Sequence, residues 1–463
     1  MHADLYAPVP LSRARAWLSR AACLLAVLGG AWVAVSMANP ATKIALPVRA
    51  MLLASCLSAL LGAAGVALRR GPLPLLVLLL GFAAPMANTR LIGSQDTVAA
   101  AEIPFALMRE GTLTLPGARQ NWLVPLAGGR AASKYPVATA LLALPFELPA
   151  ALGRAPLTVE LRNVAEKTAA SALCASMLAL LFLAQRRLAG ERAAAIAAAL
   201  TLLATPALPI LGQALWQHTG AALALAGGLA ALGLREGAGR AALVGFCAGL
   251  AVACRPPDLP LALALVALDR RRLFAAAAGA AVPVALTLVY QRAVFGGWLQ
   301  SGYGAEASIG WRPPWPDGAE GLLGLWFSPG RGMVVVYPVL AFALLELLRR
   351  RELRVLGLGV LAHSLLMACW WAWEGGWCAG PRMLSDAVPF LGLGLAAALQ
   401  RFPRWRPLRP VFVGAAALSL ASAGAMTWIM PAPETKARLV ELRDGRWNAG
   451  AWPLAAYLRG RRR

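Results

Sequence analysis

The chain is a succession of apolar runs, most of them 15 to 21 residues long, separated by short clusters of arginine. A helical run of about 20 apolar residues matches the hydrocarbon thickness of a bilayer. The repetition predicts an all-α, polytopic integral membrane protein with about 13 transmembrane helices. Composition agrees: 59% of the 463 residues are hydrophobic and only 14% are charged. The net charge of +23 would suggest nucleic-acid binding in a soluble chain. Here the arginines sit between apolar spans, where they set orientation, so a nucleic-acid partner is not expected.

Taking each tight arginine cluster as cytoplasmic gives a map. The first span is Ala21–Ala38, following Arg13, Arg15 and Arg20. Its Ser36-Met37-Ala38 end has the small-residue pattern of a signal-peptide cleavage site, although a retained signal anchor suits a polytopic chain better. The next spans are Val48–Leu68, ending at Arg69-Arg70, and Leu73–Ala87, leading outward. The run Val137–Gly153 carries Pro145, Glu147 and Pro149. Were it to cross, every later arginine cluster would fall outside, so it is expected to lie in the outer interface. The polar stretch Arg154–Lys167 is its expected outward return. Further spans follow at Thr168–Ala184, Ala193–Leu211 and Thr219–Leu234.

Ala241–Leu268 is too short for two full crossings, and a single crossing would again invert the later clusters. A hairpin of two half-helices fits, with Cys254-Arg255-Pro256-Pro257-Asp258 at its tip. An arginine at that depth must line a wet or protein-walled cavity, or pair with a partner such as Asp258. The remaining spans are Leu273–Ala293, Val334–Leu348, Val355–Trp371, Met383–Leu399 and Val411–Ile429. This divides the chain into two N-terminal spans (1–72), a main module (73–430) with outward loops 88–167 and 294–333, and a basic tail (431–463).

The outward loops collect the residues able to do chemistry: Asp96, Glu102, Lys134, Tyr135, His218, Arg255, Tyr303, Glu374 and Arg382. Asp96, in Ser94-Gln95-Asp96-Thr97, is the candidate general base; a helix cap or a solvated loop charge is the ordinary alternative. The other eight are candidate substrate-binding residues. Lys134, Arg255 and Arg382 are the cations available to a phosphate leaving group, and lysine or arginine there could equally snorkel to headgroups. His218 fits a packed interfacial histidine as well as a base. The outward tryptophans fit an interfacial belt, with sugar stacking as the sharper alternative. The seven cysteines show no CxxC and no metal spacing. No second carboxylate adjoins Asp96, so no cofactor is expected and a divalent metal is unsupported.

Five stretches together resemble the GT-C superfamily of membrane glycosyltransferases, which includes protein O-mannosyltransferases and bacterial lipid A aminoarabinose transferases. LIGSQDTVAAAEIPFALMREGTL is similar to that family's first acidic outward loop. SKYPVATALLALPFELPA is similar to its segment opening an interfacial helix, and VACRPPDLPLALALVAL to its short hairpin with a basic-proline turn. GLWFSPGRGMVVVYPVL and WWAWEGGWCAGPRMLSDAVPFLGLGLA are similar to late motifs of its bacterial members. The resemblance implies a GT-C-like fold with periplasmic interfacial helices, at the outer face of the bacterial inner membrane. It implies an inverting transfer from a polyprenyl-phosphate sugar donor to a lipid, glycan or protein acceptor. Asp96 would be the base, and Lys134 and Arg382 would hold donor phosphate. A transporter or flippase of a lipid-linked glycan is the alternative; it would place ionisable groups near mid-membrane and show inverted repeats.

Overall fold

A computed structural model describes residues 13–39, 46–117, 121–153, 156–304, 306–376, 378, 380–404, 406–429 and 447. The basic tail proposed for 431–463 lies outside the described residues except for Trp447. Among these residues eighteen α-helices follow in order. The first five are α1 (Arg13–Ala38), α2 (Val48–Leu68), α3 (Leu73–Met86), α4 (Gln95–Glu110) and α5 (Ala138–Leu152). Next come α6 (Val159–Ala189), α7 (Glu191–Leu203), α8 (Gln217–Ala231), α9 (Ala238–Cys254), α10 (Leu259–Ala267) and α11 (Leu273–Phe295). The chain continues through α12 (Glu306–Ile309), α13 (Ala319–Phe327), α14 (Met333–Val336), α15 (Val339–Arg349), α16 (Arg354–Ala368), α17 (Val388–Arg401) and α18 (Arg409–Gly424). Among the described residues six helical stretches are long and apolar enough to cross a membrane: α1, α2, α6, α11 and the two that contain α17 and α18. The helices α3, α5, α9, α10 and α16 are apolar but shorter.

The polar stretch expected as a return loop is partly helix. Thr158 caps α6 by accepting from the Leu161 amide at 3.2 Å, and α6 runs unbroken for 31 residues from Val159. Glu166 and Lys167 therefore lie inside a helix and are buried. The chain is all-α as expected, apart from a small antiparallel sheet: β1 (Leu115–Pro116), β2 (Leu123–Pro125) and β3 (Arg130–Ser133), with β3 in the centre. Its strands pair Leu115 with Ala131 and Val124 with Ala132. It matters because Lys134 and Tyr135 leave directly from β3.

The hairpin reading of Ala241–Leu268 is visible in helix direction. A side chain on Gly245 would strike Ala276 O at 1.8 Å, and one on Gly249 would strike Ala280 O at 2.4 Å. Both registers rise together, so α9 and α11 run parallel. The short α10 between them must turn back, which places Arg255 at the reversal. Glycines that let two backbones touch are a membrane-protein packing device. Since most of α11 is unburied, this seam holds it. Gly245→Val is expected to lower unfolding stability by about 1–3 kcal/mol through overpacking. A detergent thermal melt matching the wild type would contradict that.

Polar contacts sort the helix ends into two groups. At one end Arg187 donates to Ala230 O at 2.9 Å, and Arg240 holds Asp269 through two bonds of 3.0 Å. At the same ends of α15 and α17, Arg350 donates to Gln400 at 2.7 Å and Arg401 to Glu346 at 3.4 Å. These are the arginine clusters that defined the map. At the opposite ends of α8 and α9, and in the turn that leads into α17, lie His218, Arg255 and Arg382.

Candidate functional site

A cavity of about 1450 Å³ opens at that second end. It gathers seven of the nine residues singled out in the sequence: Asp96, Lys134, Tyr135, His218, Arg255, Tyr303 and Arg382. Glu102 and Glu374 do not line it. Glu102 pairs with Arg162 at 2.9 Å, and Glu374 lies against a separate, smaller pocket.

Asp96 owes its place to the start of α4. Ser94 is the cap, its hydroxyl accepting from the Asp96 amide at 3.4 Å while Thr97 Oγ1 accepts from the Ser94 amide at 3.4 Å. Asp96 is therefore a first-turn residue, not the cap, and the helix N-terminus favours its negative charge. Tyr135 donates its hydroxyl to Oδ1 at 2.7 Å, and Arg382 donates to Oδ2 at 2.8 Å. Burial alone would raise the Asp96 pKa. The Arg382 guanidinium, the Tyr135 hydroxyl and the Lys134 charge outweigh it and hold the carboxyl below its ordinary range. Burial, followed by the Asp96 carboxylate, drives the Tyr135 phenol upward, so it remains a donor at neutral pH.

Arg382 is fixed from three sides. It donates to Asp96, donates through its other nitrogen to Gly375 O at 2.7 Å, and lies 4.2 Å over the Trp216 ring. Gly375 has φ +79°, a conformation that favours glycine, and this turns its carbonyl toward the guanidinium. The loop that makes this turn is held by the buried Arg331, which donates to Gly376 O at 2.9 Å and to Cys378 O.

Lys134 forms an ion pair with Glu306 at 2.5 Å and sits 5.5 Å over the Tyr303 ring. Tyr303 packs edge-on against Tyr135 and Trp370, and its hydroxyl accepts from Gln217 at 3.1 Å. Gly302 permits this closeness, since a side chain there would meet Lys134 O at 2.5 Å. The loop after α11 is thus drawn onto the end of the small sheet.

The deeper wall is a buried charge cluster. Arg255 donates from one nitrogen to Asp258 at 3.0 Å and to Asp386 at 2.7 Å. His218 Nδ1 meets Asp386 at 2.8 Å. Arg255 was read as a cation for phosphate or as a partner of Asp258. The second describes its contacts, and two carboxylates already offset its charge. Likewise His218 is held by Asp386. Among the described residues Asp258, His363 and Asp386 bring ligand atoms within 4.8 Å of one another. The Arg255 guanidinium lies against both carboxylates, so a divalent cation there would meet a fixed positive charge.

Sequence reasoning missed several of these groups. Asp386 sits within an apolar run taken as a span, where a carboxylate is itself a functional flag. Lys167 donates to Asn88 Oδ1, to Arg90 O and, at 3.0 Å, to Gln213 Oε1, fixing the segment that leads into α4. No local pattern announces that contact across the fold.

No protein-family model matches this chain, and no curated protein matches it in sequence. Two solved structures do match in fold, both of ArnT from Cupriavidus metallidurans. The one bound to undecaprenyl phosphate superposes with a TM-score of 0.50 at 15% identity, covering 83% of this chain and 75% of ArnT. The apo structure gives 0.48 at 16% identity, covering 83% and 74%. The overlap with the bound structure extends over most of both chains. On that likeness this chain has the fold of the ArnT structure over 83% of its length.

Proposed function

We propose that the protein is a glycosyltransferase that moves a sugar from a polyprenyl-phosphate-linked donor to a hydroxyl-bearing acceptor at the outer membrane surface, with inversion at the anomeric carbon. The observation that carries this reading is Asp96 held between Tyr135 and Arg382 in a large cavity that also contains Lys134. Two further points support it. The matching ArnT structure is bound to undecaprenyl phosphate. The arginine clusters lie at the helix ends away from the cavity, which under the positive-inside rule turns the cavity outward.

The chemistry follows from the contacts. Arg382 presents a planar fork of donors suited to phosphate, and its bond to Asp96 is one that a phosphate oxygen can replace. Donor binding then frees one carboxylate oxygen beside the reacting carbon. Asp96 accepts the acceptor's hydroxyl proton as that oxygen bonds to the anomeric carbon. The bond from that carbon to the phosphate oxygen breaks, and the phosphate leaves with the electron pair. Arg382, with Lys134 beside it, stabilises the released charge. Tyr135 keeps the carboxylate in place through its second oxygen.

Because the Asp96 pKa is lowered, the base form persists at neutral and mildly acidic pH. Asp96-dependent activity should be present above the folded pKa and fall as pH drops through it. In a kcat/KM profile the acid limb should lie below about 3.9, the ordinary aspartate value. A limb centred near neutrality would show that another group is the base. The test of the reaction itself is label transfer from radiolabelled polyprenyl-phosphate sugars to a membrane lipid extract, using protein in nanodiscs. Labelled product with one donor of the panel is the expected result. Intact donor in every case, with extract present, would defeat the reading.

A further inference from the structure

A second pocket of about 230 Å³ lies beside the main cavity, lined by Arg312, Asp317, Glu320, Glu374 and tryptophans 370, 371 and 373. Trp370 and Trp371 line both. Its back wall forms because α13 approaches closely: side chains on Gly321 and Gly324 would strike Ala368 O at 2.2 Å and the Trp373 ring at 2.1 Å. Glu374 is 5% exposed, and its Oε2 has no hydrogen-bond partner among the described residues. A buried carboxylate oxygen without a donor is destabilising and points to a missing ligand. Arg312 does not supply one; it is exposed and reaches Asp317 at 3.7 Å. Three carboxylates against one guanidinium leave the pocket negative.

We propose that this pocket binds a primary ammonium group of the acceptor, an inference that rests on the glycosyltransferase reading for the word acceptor. An ammonium group brings both the positive charge and the N–H donors that Glu374 lacks. A shared metal ion is a poorer fit, since among the described residues only Asp258, His363 and Asp386 bring ligand atoms within 4.8 Å of one another. The volume suits a headgroup or a single small ring, not a chain; a water molecule takes about 30 Å³. The pocket also adjoins the reacting centre through the chain. Glu374 precedes Gly375, whose carbonyl holds Arg382. A ligand on Glu374 therefore bears on the turn that positions the phosphate-facing guanidinium.

The ammonium group can come from an amino sugar or from a lipid headgroup, and binding separates the two. Full-length protein in phosphatidylglycerol nanodiscs is titrated by calorimetry with glucosamine and with glucose, without donor. Glucosamine should bind at least tenfold more tightly, and Glu374→Gln should reduce that preference about tenfold or more. Asp317→Asn, at a partly exposed position, should weaken it as well, which guards against misfolding of the buried variant. Adding phosphatidylethanolamine to the disc identifies the source: displacement of glucosamine supports a lipid headgroup, and no displacement supports an amino sugar. Equal affinity for glucosamine and glucose, or a preference unchanged in both variants, overturns the proposal. Binding is measured without turnover, so absent sugar transfer would strike only the glycosyltransferase reading. Transfer without any ammonium preference would strike only this one.

Discussion

Asp96→Asn is expected to reduce sugar transfer roughly 10²–10⁴-fold, the range for loss of a positioned general base. The amide keeps the size of the carboxylate and can still accept from Tyr135 or Arg382, so the fold should hold. Donor affinity should hold or rise, since Arg382 no longer shares its donors with a negative charge. The effect should therefore appear in kcat and not in KM. If Asp96 were a solvated loop charge, the substitution would change neither. A fall in donor binding equal to the fall in turnover would instead make Asp96 a structural partner of Arg382.

The second large effect is expected at Arg382. Arg382→Ala removes the cation nearest Asp96, its packing on Trp216 and its bond to Gly375 O. Turnover should fall by about 10²–10³, the range for loss of one donor aimed at developing charge. Donor KM should rise as well, because in the proposed reaction the guanidinium also meets the donor phosphate. Arg382→Lys keeps the charge but loses the planar fork, so it should recover only part of the activity. There is a second signature. With the guanidinium gone, burial becomes the dominant influence on Asp96, and its pKa should rise. The acid limb of the residual activity should then move to higher pH in Arg382→Ala and stay low in Arg382→Lys. An unchanged limb would show that Arg382 does not set the Asp96 charge state.

How much of this was legible depended on how local the signal was. The helix Val48–Leu68 and the reversal at Arg255 were readable because apolar length and arginine position are local properties. Asp96 stood out as the lone aspartate in the first polar loop. The partner it needed, Arg382, lies 286 residues away in sequence; only the expectation that both loops face the same side joined them. Glu102 reads as a substrate-binding candidate from the same loop as Asp96. It lies on the same helix, α4, yet reaches Arg162 on α6, a direction that helix packing decides. The small sheet escaped because strands of two to four residues carry no measurable alternation. Asp386 escaped because its neighbours are apolar, although its contacts with Arg255 and His218 make it the centre of the buried cluster.

The proposed reaction breaks a bond in this cavity, whereas a transporter would pass the lipid through it. The most direct measurement uses sealed proteoliposomes carrying a polyprenyl-phosphate sugar labelled in the sugar, with acceptor lipid in the same bilayer. Wild type and Asp96→Asn are compared for labelled product and for movement of intact donor between leaflets. Label in a new covalent product with wild type, and none with Asp96→Asn, is the predicted result. Intact donor crossing the bilayer at the same rate in both proteins, with no new product, would rule out the proposed transfer and make the protein a transporter.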